Sequence, residues 1–193
     1  MARVAAHPIE AMFLERWSPR AMNGEPLTEG QLQQVFEAAR WAPSSGNSQP
    51  WRFLYAVQGT PGFEGLFGLL ADGNKVWCRR AGALVLVLAT TRDARGNALP
   101  TSAFDTGAAW MALALQARAL GLVAHGMAGF DAPRARAELQ VPEEAQVLCM
   151  VALGHPGDPA QLPEKLRDRE VPNDRQAVET FIAQGAFPEG WKR

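Results

Sequence analysis

Residues 41–51 read Trp-Ala-Pro-Ser-Ser-Gly-Asn-Ser-Gln-Pro-Trp, and this stretch separates a helix from a strand. Its two prolines, its glycine and its short polar side chains exclude regular structure over residues 43–50 and predict a loop. Amide side chains and free backbone donors are concentrated there, which suits a flat heterocycle rich in carbonyl and ring-nitrogen acceptors. A plain helix-to-strand connection is the alternative interpretation.

The elements on either side of this loop begin and end at clear signals. Thr28-x-x-Gln31 is typical of a capping box, and Pro43 stops the apolar-faced helix that the box opens. After the loop, aromatic and β-branched residues recur with period two from Trp51 to Val57, which predicts a strand.

Three more strands are predicted downstream of a segment, residues 59–73, that we interpret as a loop with a short helix. Residues 83–89 are continuously apolar and suit a strand covered on both faces. Residues 122–127 and 147–153 are the other two candidates. Because helices and strands do not alternate as strict βαβ units, we predict an α+β fold with one sheet of about four strands. Residues 1–193 contain no linker or repeat and are interpreted as one domain.

The helix predicted over residues 103–120 is unusually apolar. Between Gly107 and Ala117 its only polar side chain is Gln116. A helix that is apolar all round is expected to be buried on all sides. Weaker amphipathic segments are predicted over residues 8–16 and around residues 178–182.

Composition and charge exclude several classes of protein. With 19 Lys+Arg against 20 Asp+Glu, the chain lacks the basic excess of a general nucleic-acid binder. The longest apolar run, Ala83–Ala89, is far shorter than the ~20 residues of a membrane helix. Glu10 and Glu15 argue against a signal peptide, and Cys78 and Cys149 form no CxxC pair. We therefore expect a cytoplasmic protein with neither metal nor disulfide, whose cysteines are inert.

Catalytic motifs of the common kinds are missing from the sequence. No histidine pair has metal-ligand spacing, and G-x-S-x-G, P-loop and G-x-G-x-x-G motifs do not occur. An enzyme with this sequence would borrow its reactivity from a cofactor, and we assign no catalytic side chain. We interpret His125 as structural rather than as a proton donor. The aromatic residues interpreted as core rather than substrate surface are Trp77, Phe104 and Trp110.

Two further clusters point to a ligand with a charged end and a flat end. Arg16-Trp17-Ser18-Pro19-Arg20 places two guanidinium groups and a hydroxyl together, which suits a phosphate, although solvated surface arginines are the alternative. The small residues of His125-Gly-Met-Ala-Gly-Phe-Asp131 let a planar ligand lie against bare backbone. A strand end followed by a helix cap is the alternative there.

Taken in order, these motifs resemble the FMN-dependent nitroreductase family over essentially the whole chain. The matching pieces are R-x-S-x-R, W-A-P-S-S-G-N-S-Q-P-W, D-x-G-x-A, G-L-x-x-H-x-M-x-G-F-D and G-x-P. The resemblance implies a mostly antiparallel sheet flanked by helices, and a homodimer with two FMN sites at its interface. It also implies that NADH or NADPH reduces FMN and that a nitroaromatic or quinone then takes the electrons in a ping-pong reaction. Related flavin chemistry (enone reduction, dehalogenation or flavin cleavage) and a redox sensor without turnover are the alternatives.

The resemblance also assigns residues to the FMN site. Those assigned are Arg16, Trp17, Ser18, Arg20, Pro43, Ser44, Ser45, Asn47, Met127, Ala128, Gly129 and Arg175. The first three would meet the phosphate and ribityl chain, and Arg20 the pyrimidine edge. The loop residues would often come from the partner subunit, and residues 127–129 would lie under the ring. Arg175 would reach the phosphate, with Arg169 as the alternative, and Asn74 would bind the pyrimidine.

Overall fold

Four strands form one antiparallel sheet, as the sequence predicts. They are β1 (Trp51–Val57), β2 (Ala83–Thr90), β3 (Val123–Met127) and β4 (Ala145–Gly154), in the spatial order β1-β2-β4-β3. The structure is a computed structural model, and it describes residues 3–191. Strands β1 and β3 are the two edges of the sheet, so the loop before β1 and the turn after β3 lie on opposite sides.

Helices cover both faces of this sheet. They are α1 (Ala11–Glu15), α2 (Glu29–Arg40), α3 (Pro61–Gly68), α4 (Asp72–Cys78), α5 (Ser102–Ala119), α6 (Ala132–Glu138) and α7 (Glu164–Arg167). The capping box at the start of α2 is confirmed, since Thr28 Oγ1 accepts from Gln31 N and Gln31 Oε1 accepts from Thr28 N. The segment interpreted as a loop with one short helix holds all of α3 and the start of α4. Thr60 caps α3 and Pro61 occupies its first turn.

Strand β2 is buried on both faces, which confirms the interpretation of its continuous apolar run. Leu84 and Leu86 pack with the side chains of α3 and α4. Val85 and Val87 point the other way and pack with α2 and α5. The site described below lies on the α4 face, beside edge strand β3.

Within one chain, helix α5 is buried on one face only, and the expected burial on all sides would need a second copy to cover the other face. Its buried residues form one stripe that includes Ala109, Leu113 and Ala117. On the outer face Phe104 is 83% exposed and Met111 is also exposed, so the interpretation of Phe104 as core is wrong for a single chain. Among residues 3–191, the sheet, α2 and α1 contact α5, and they leave Phe104 and Met111 exposed.

The remaining amphipathic segments are shorter than predicted. Helix α1 spans five residues of the predicted 8–16. The segment around residues 178–182 forms only a 3-10 turn, Val178–Thr180, and leaves Phe181 exposed. Among residues 3–191, every helix is too short or too polar to cross a bilayer.

A strap formed by residues 16–23 lies beside β3 and the segment that follows β4. Met22 forms an antiparallel bridge with Pro156, and Gly157 N donates to Ala21 O at 3.0 Å. A Cβ at Gly157 would overlap the backbone of Met22, so only glycine allows this close approach. The strap carries the predicted arginine cluster to one edge of the sheet.

Candidate functional site

Two adjoining cavities lie beside the end of β3. The arginine cavity measures about 550 Å³ and the glycine cavity about 420 Å³. The arginine cavity is lined by five guanidinium-bearing residues, Arg3, Arg16, Arg20, Arg169 and Arg175. The glycine cavity is lined by α4 residues and by residues 126–129. Arg20, His125 and Arg169 line both, so the two cavities form one elongated site.

Among residues 3–191, no carboxylate lines the arginine cavity, so its positive charge is not neutralised by a lining side chain. Burial lowers the pKa of Arg16, and the charges of Arg175 and Arg3 lower it further. Arg16 Nε is buried without a hydrogen-bond partner among residues 3–191, and its Nη1 reaches Ser18 Oγ only at 3.5 Å. A buried unpaired donor among like charges is the arrangement that an anion stabilises.

Arg3 joins three segments of the chain beside this cavity. Its guanidinium donates to the carbonyl oxygens of Leu14 at 3.1 Å, Arg16 at 2.8 Å and Asn173 at 2.8 Å. Sequence reasoning missed Arg3, because it lies in an N-terminal segment with no motif or periodicity. Arg175 Nη1 donates to Asn173 Oδ1 at 3.0 Å, which places Arg175 in the same cluster.

Glu170 anchors the strap through hydrogen bonds to its backbone. Its Oε1 accepts from the backbone N–H groups of Arg20 and Ala21 at 2.6 and 2.7 Å. Its Oε2 lies 4.0 Å from Arg20 Nη1, which is an ion pair without a hydrogen bond. Glu170 is only 8% exposed, so this carboxylate is the buried counter-charge that holds Arg20 at the junction of the cavities.

The floor of the glycine cavity is backbone. Gly129 O accepts from Ala71 N at 3.0 Å and from Asn74 Nδ2 at 2.9 Å. A Cβ at Gly129 would lie 2.8 Å from Asn74 Nδ2, so a larger residue there would displace the Asn74 side chain from this contact. The backbone N–H groups of Ala128 and Gly129 donate no hydrogen bond within residues 3–191. They are exposed donors beside a flat surface, suited to the acceptors of a planar ring.

Below this floor the packing is apolar. Cys78 Sγ lies 3.3 Å from the buried Met127 Sδ. Burial raises the pKa of the Cys78 thiol well above its ordinary range, and it raises the pKa of the half-buried Cys149 to about 11. Neither thiol is therefore a nucleophile at neutral pH, which agrees with the expectation from the sequence.

His125 and Trp77 form the wall at the junction. Their ring centroids lie 4.6 Å apart, and His125 Nδ1 lies 3.0 Å from Pro19 O. Trp77 is 3% exposed, so it belongs to the core as predicted, but it also lines the glycine cavity. Trp110 lies behind Gly126, where a Cβ would come within 3.3 Å of its ring.

The loop before β1 is not brought to either cavity within one chain. Pro43, Ser44, Ser45 and Asn47 lie near edge strand β1, across the sheet from the strap. Asp105 Oδ2 holds this loop by accepting from Ser45 N at 3.1 Å, and Asp105 is 4% exposed.

The structure therefore unites most of the sequence-predicted site residues and separates a group of four. Those united around the two cavities are Arg16, Trp17, Ser18, Arg20, Met127, Ala128, Gly129 and Arg175. Asn74 joins them, and both Arg169 and Arg175 line the arginine cavity. The arrangement can hold an elongated ligand with an anionic end and a flat end that accepts hydrogen bonds.

A comparison with known families agrees with this geometry. The model of the nitroreductase family matches residues 14–61 and 64–155. The chain belongs to the nitroreductase family. The resemblance inferred from the ordered motifs is confirmed, and the matched residues include the strap, the loop before β1 and the floor of the glycine cavity.

Individual relatives extend the likeness across the chain. A crystal structure described as an oxidoreductase containing FMN is 38% identical, with a TM-score of 0.93 and coverage of 96% of each chain. An NADH dehydrogenase of Thermus thermophilus is 30% identical over 176 residues, covering 75% of this chain and 85% of its own. A 15.4 kDa protein from the ask 5′ region of Mycolicibacterium smegmatis is 40% identical over 130 residues, covering 67% of this chain and 84% of its own.

Proposed function

We propose that this nitroreductase-family protein is an NAD(P)H-dependent oxidoreductase that binds FMN across the two cavities. The observation that carries the proposal is the meeting of a five-arginine cavity with a glycine-floored cavity. FMN has a phosphate for the first and an isoalloxazine ring for the second. The unpaired Arg16 Nε and the free N–H groups at Ala128 and Gly129 fit these two ends. The FMN content of the relative with 96% mutual coverage supports the same assignment.

Each part of the site has a defined task in this proposal. Arg16, Ser18 and Arg175 would hold the phosphate through charge-assisted hydrogen bonds. The guanidinium of Arg20, held by Glu170, would place positive charge beside the electron-accepting ring. FMN bound there would accept a hydride from NADH or NADPH and pass the electrons to a quinone or nitroaromatic in a ping-pong reaction.

We also propose that the working form is a homodimer. The outer face of α5 exposes Phe104 at 83%, and Trp41 beside the loop is 74% exposed. Large exposed apolar surfaces mark interaction sites. A second copy would cover this surface and bring Pro43, Ser44, Ser45 and Asn47 to the FMN site of its partner. We place the dimer in the cytoplasm, where NAD(P)H is available and both free thiols stay reduced.

The catalytic proposal is tested by mixing the FMN-loaded protein anaerobically with NADH or NADPH and following flavin absorbance. We expect bleaching by at least one nicotinamide, recovery on adding a quinone, and parallel double-reciprocal plots in the steady state. Flavin that stays oxidised with both nicotinamides would contradict the enzyme assignment and favour a redox sensor. Intersecting plots would contradict only the ping-pong order, and a screen with enones and halogenated aromatics would test the alternative acceptors.

A further inference from the structure

His125 lies at the junction of the arginine cavity and the glycine cavity. Three side chains line both cavities, namely Arg20, His125 and Arg169. Guanidinium groups donate hydrogen bonds and cannot accept them. Among these three side chains, the imidazole is therefore the only one that can accept a hydrogen bond from a ligand passing between the cavities.

The surroundings of His125 fix which nitrogen can accept. Nδ1 lies 3.0 Å from the carbonyl oxygen of Pro19, and a carbonyl only accepts, so we assign the proton to Nδ1. Burial lowers the pKa of His125, so the ring is neutral at neutral pH. Nε2 then carries a lone pair, and no hydrogen bond at Nε2 shorter than 3.5 Å occurs among residues 3–191, although the carbonyl oxygen of Ser18 also lies near the ring.

Two contacts hold the imidazole in place. Its ring packs on Trp77 with a centroid separation of 4.6 Å and an angle of 43° between the planes. Pro19 in turn belongs to the strap, which Glu170 anchors through the backbone N–H groups of Arg20 and Ala21. The direction of the Nε2 lone pair is thus set before any ligand arrives, which reduces the entropy lost on binding.

We infer that His125 Nε2 accepts a hydrogen bond from a ribityl hydroxyl of FMN. His125 is then a binding residue that favours FMN over a flavin that lacks this hydroxyl. The inference rests on the proposed function. With the phosphate in the arginine cavity and the ring in the glycine cavity, the polyol is the part that crosses the junction. Its hydroxyl groups are donors that Arg20 and Arg169 cannot satisfy.

The test combines one variant with modified ligands. His125→Asn keeps an amide N–H near the position of Nδ1 for Pro19 O but has no acceptor at the position of Nε2. His155→Asn is the matched control, because His155 lines neither cavity. Each protein is titrated with FMN and with its 2′-, 3′- and 4′-deoxy analogues, following flavin fluorescence.

We expect the wild type and His155→Asn to bind one deoxy analogue roughly 3- to 10-fold more weakly than FMN, the range of a single neutral hydrogen bond. His125→Asn should bind FMN more weakly by a similar factor and should not discriminate against that analogue. Equal discrimination by wild type and His125→Asn, or no discrimination by either, would overturn the inference. A wild type that binds no FMN would instead overturn the proposed function.

A second measurement needs no variant. The imidazole ¹⁵N resonances of the wild type report the protonation of each ring nitrogen. We expect a protonated Nδ1 and an unprotonated Nε2 in the FMN-free protein, with the Nε2 resonance moving when FMN is added. A proton on Nε2, or an unchanged Nε2 resonance on FMN binding, would contradict the assignment.

Discussion

At the scale of single residues, folding brings several arginine side chains together, and their positive charges suit an anionic ligand. Arg16 keeps a buried, unpaired Nε, and its neighbours Arg3 and Arg175 repel it. Glu170 provides one buried carboxylate for this group of arginines. The FMN-free protein carries this repulsion as a loss of stability, so an anion that binds only the folded state should raise the free energy of unfolding.

The titration of His125 makes stability depend on pH in a defined direction. Burial is the main cause that lowers the pKa of His125 below the ordinary 6.5, and the charge of Arg20 lowers it further. Hydrogen bonds to the backbone of Pro19 and Ser18 and the charge of Glu170 oppose this shift. The unfolded chain therefore binds the proton more readily, and the free energy of unfolding rises with pH up to about the unfolded pKa.

Denaturant titrations of FMN-free protein at about pH 7 and about pH 5 should thus show lower stability at the acid pH. The drop should be smaller in His125→Asn, which cannot take up this proton. An identical drop in the two proteins would show that other groups cause the pH dependence.

At the scale of elements, the strap over residues 16–23 is what places arginines beside a backbone floor. It has no regular secondary structure, and it is held by Glu170, by the bridge from Met22 to Pro156 and by the close approach at Gly157. Several independent contacts to one segment explain how short motifs far apart in sequence form a single cavity.

The contact at Gly157 can be tested directly. Gly157→Ala places a methyl group against the Met22 backbone, which cannot move as a side chain can. We expect the free energy of unfolding to fall by about 1–3 kcal/mol and FMN affinity to fall with it. The control is Gly65→Ala, in helix α3, because Gly65 lines neither cavity and a Cβ there meets nothing within 4 Å. The control should raise stability slightly, and equal behaviour of the two variants would contradict the role of the close approach.

At the scale of the whole molecule, one chain holds only part of the predicted site. The arginine cavity and the glycine cavity are complete near β3, whereas the loop before β1 lies across the sheet. The outer face of α5 is exposed in one chain, so the expected burial on all sides depends on a second copy. Composition reports that a surface is apolar, and it does not report whether the same chain or a second copy covers it.

The dimer proposal predicts the effect of a charge on that face. Phe104→Arg should convert the protein to monomers in analytical ultracentrifugation, because it puts a charge into an apolar interface. FMN affinity should fall in parallel, since the partner loop is lost. Val76→Arg, at a residue that is 55% exposed on α4, is the control and should remain dimeric. A Phe104→Arg dimer that binds FMN normally would contradict the proposed interface.

The sequence predicted those parts of the molecule that depend on local patterns. Strands β1 and β2, the capping box at Thr28 and the arginines of the strap follow from periodicity, capping chemistry and charge. Arg3, Glu170 and the lone pair of His125 could not be predicted, because each acts through residues distant in the chain. Arg3 meets Asn173, and Glu170 meets Arg20, only after segments about 150 or more residues apart in sequence come together in the fold.

We propose that the phosphate contributes most of the affinity of this site for a flavin. The most direct measurement is a fluorescence titration of the FMN-free protein with FMN and with riboflavin, which lacks the phosphate, repeated with the double variant Arg16→Ala, Arg175→Ala. We predict that the wild type binds FMN at least roughly tenfold more tightly than riboflavin, and that the double variant loses most of this preference. No binding of FMN, equal binding of both flavins, or an unchanged preference in the double variant would contradict this role of the phosphate.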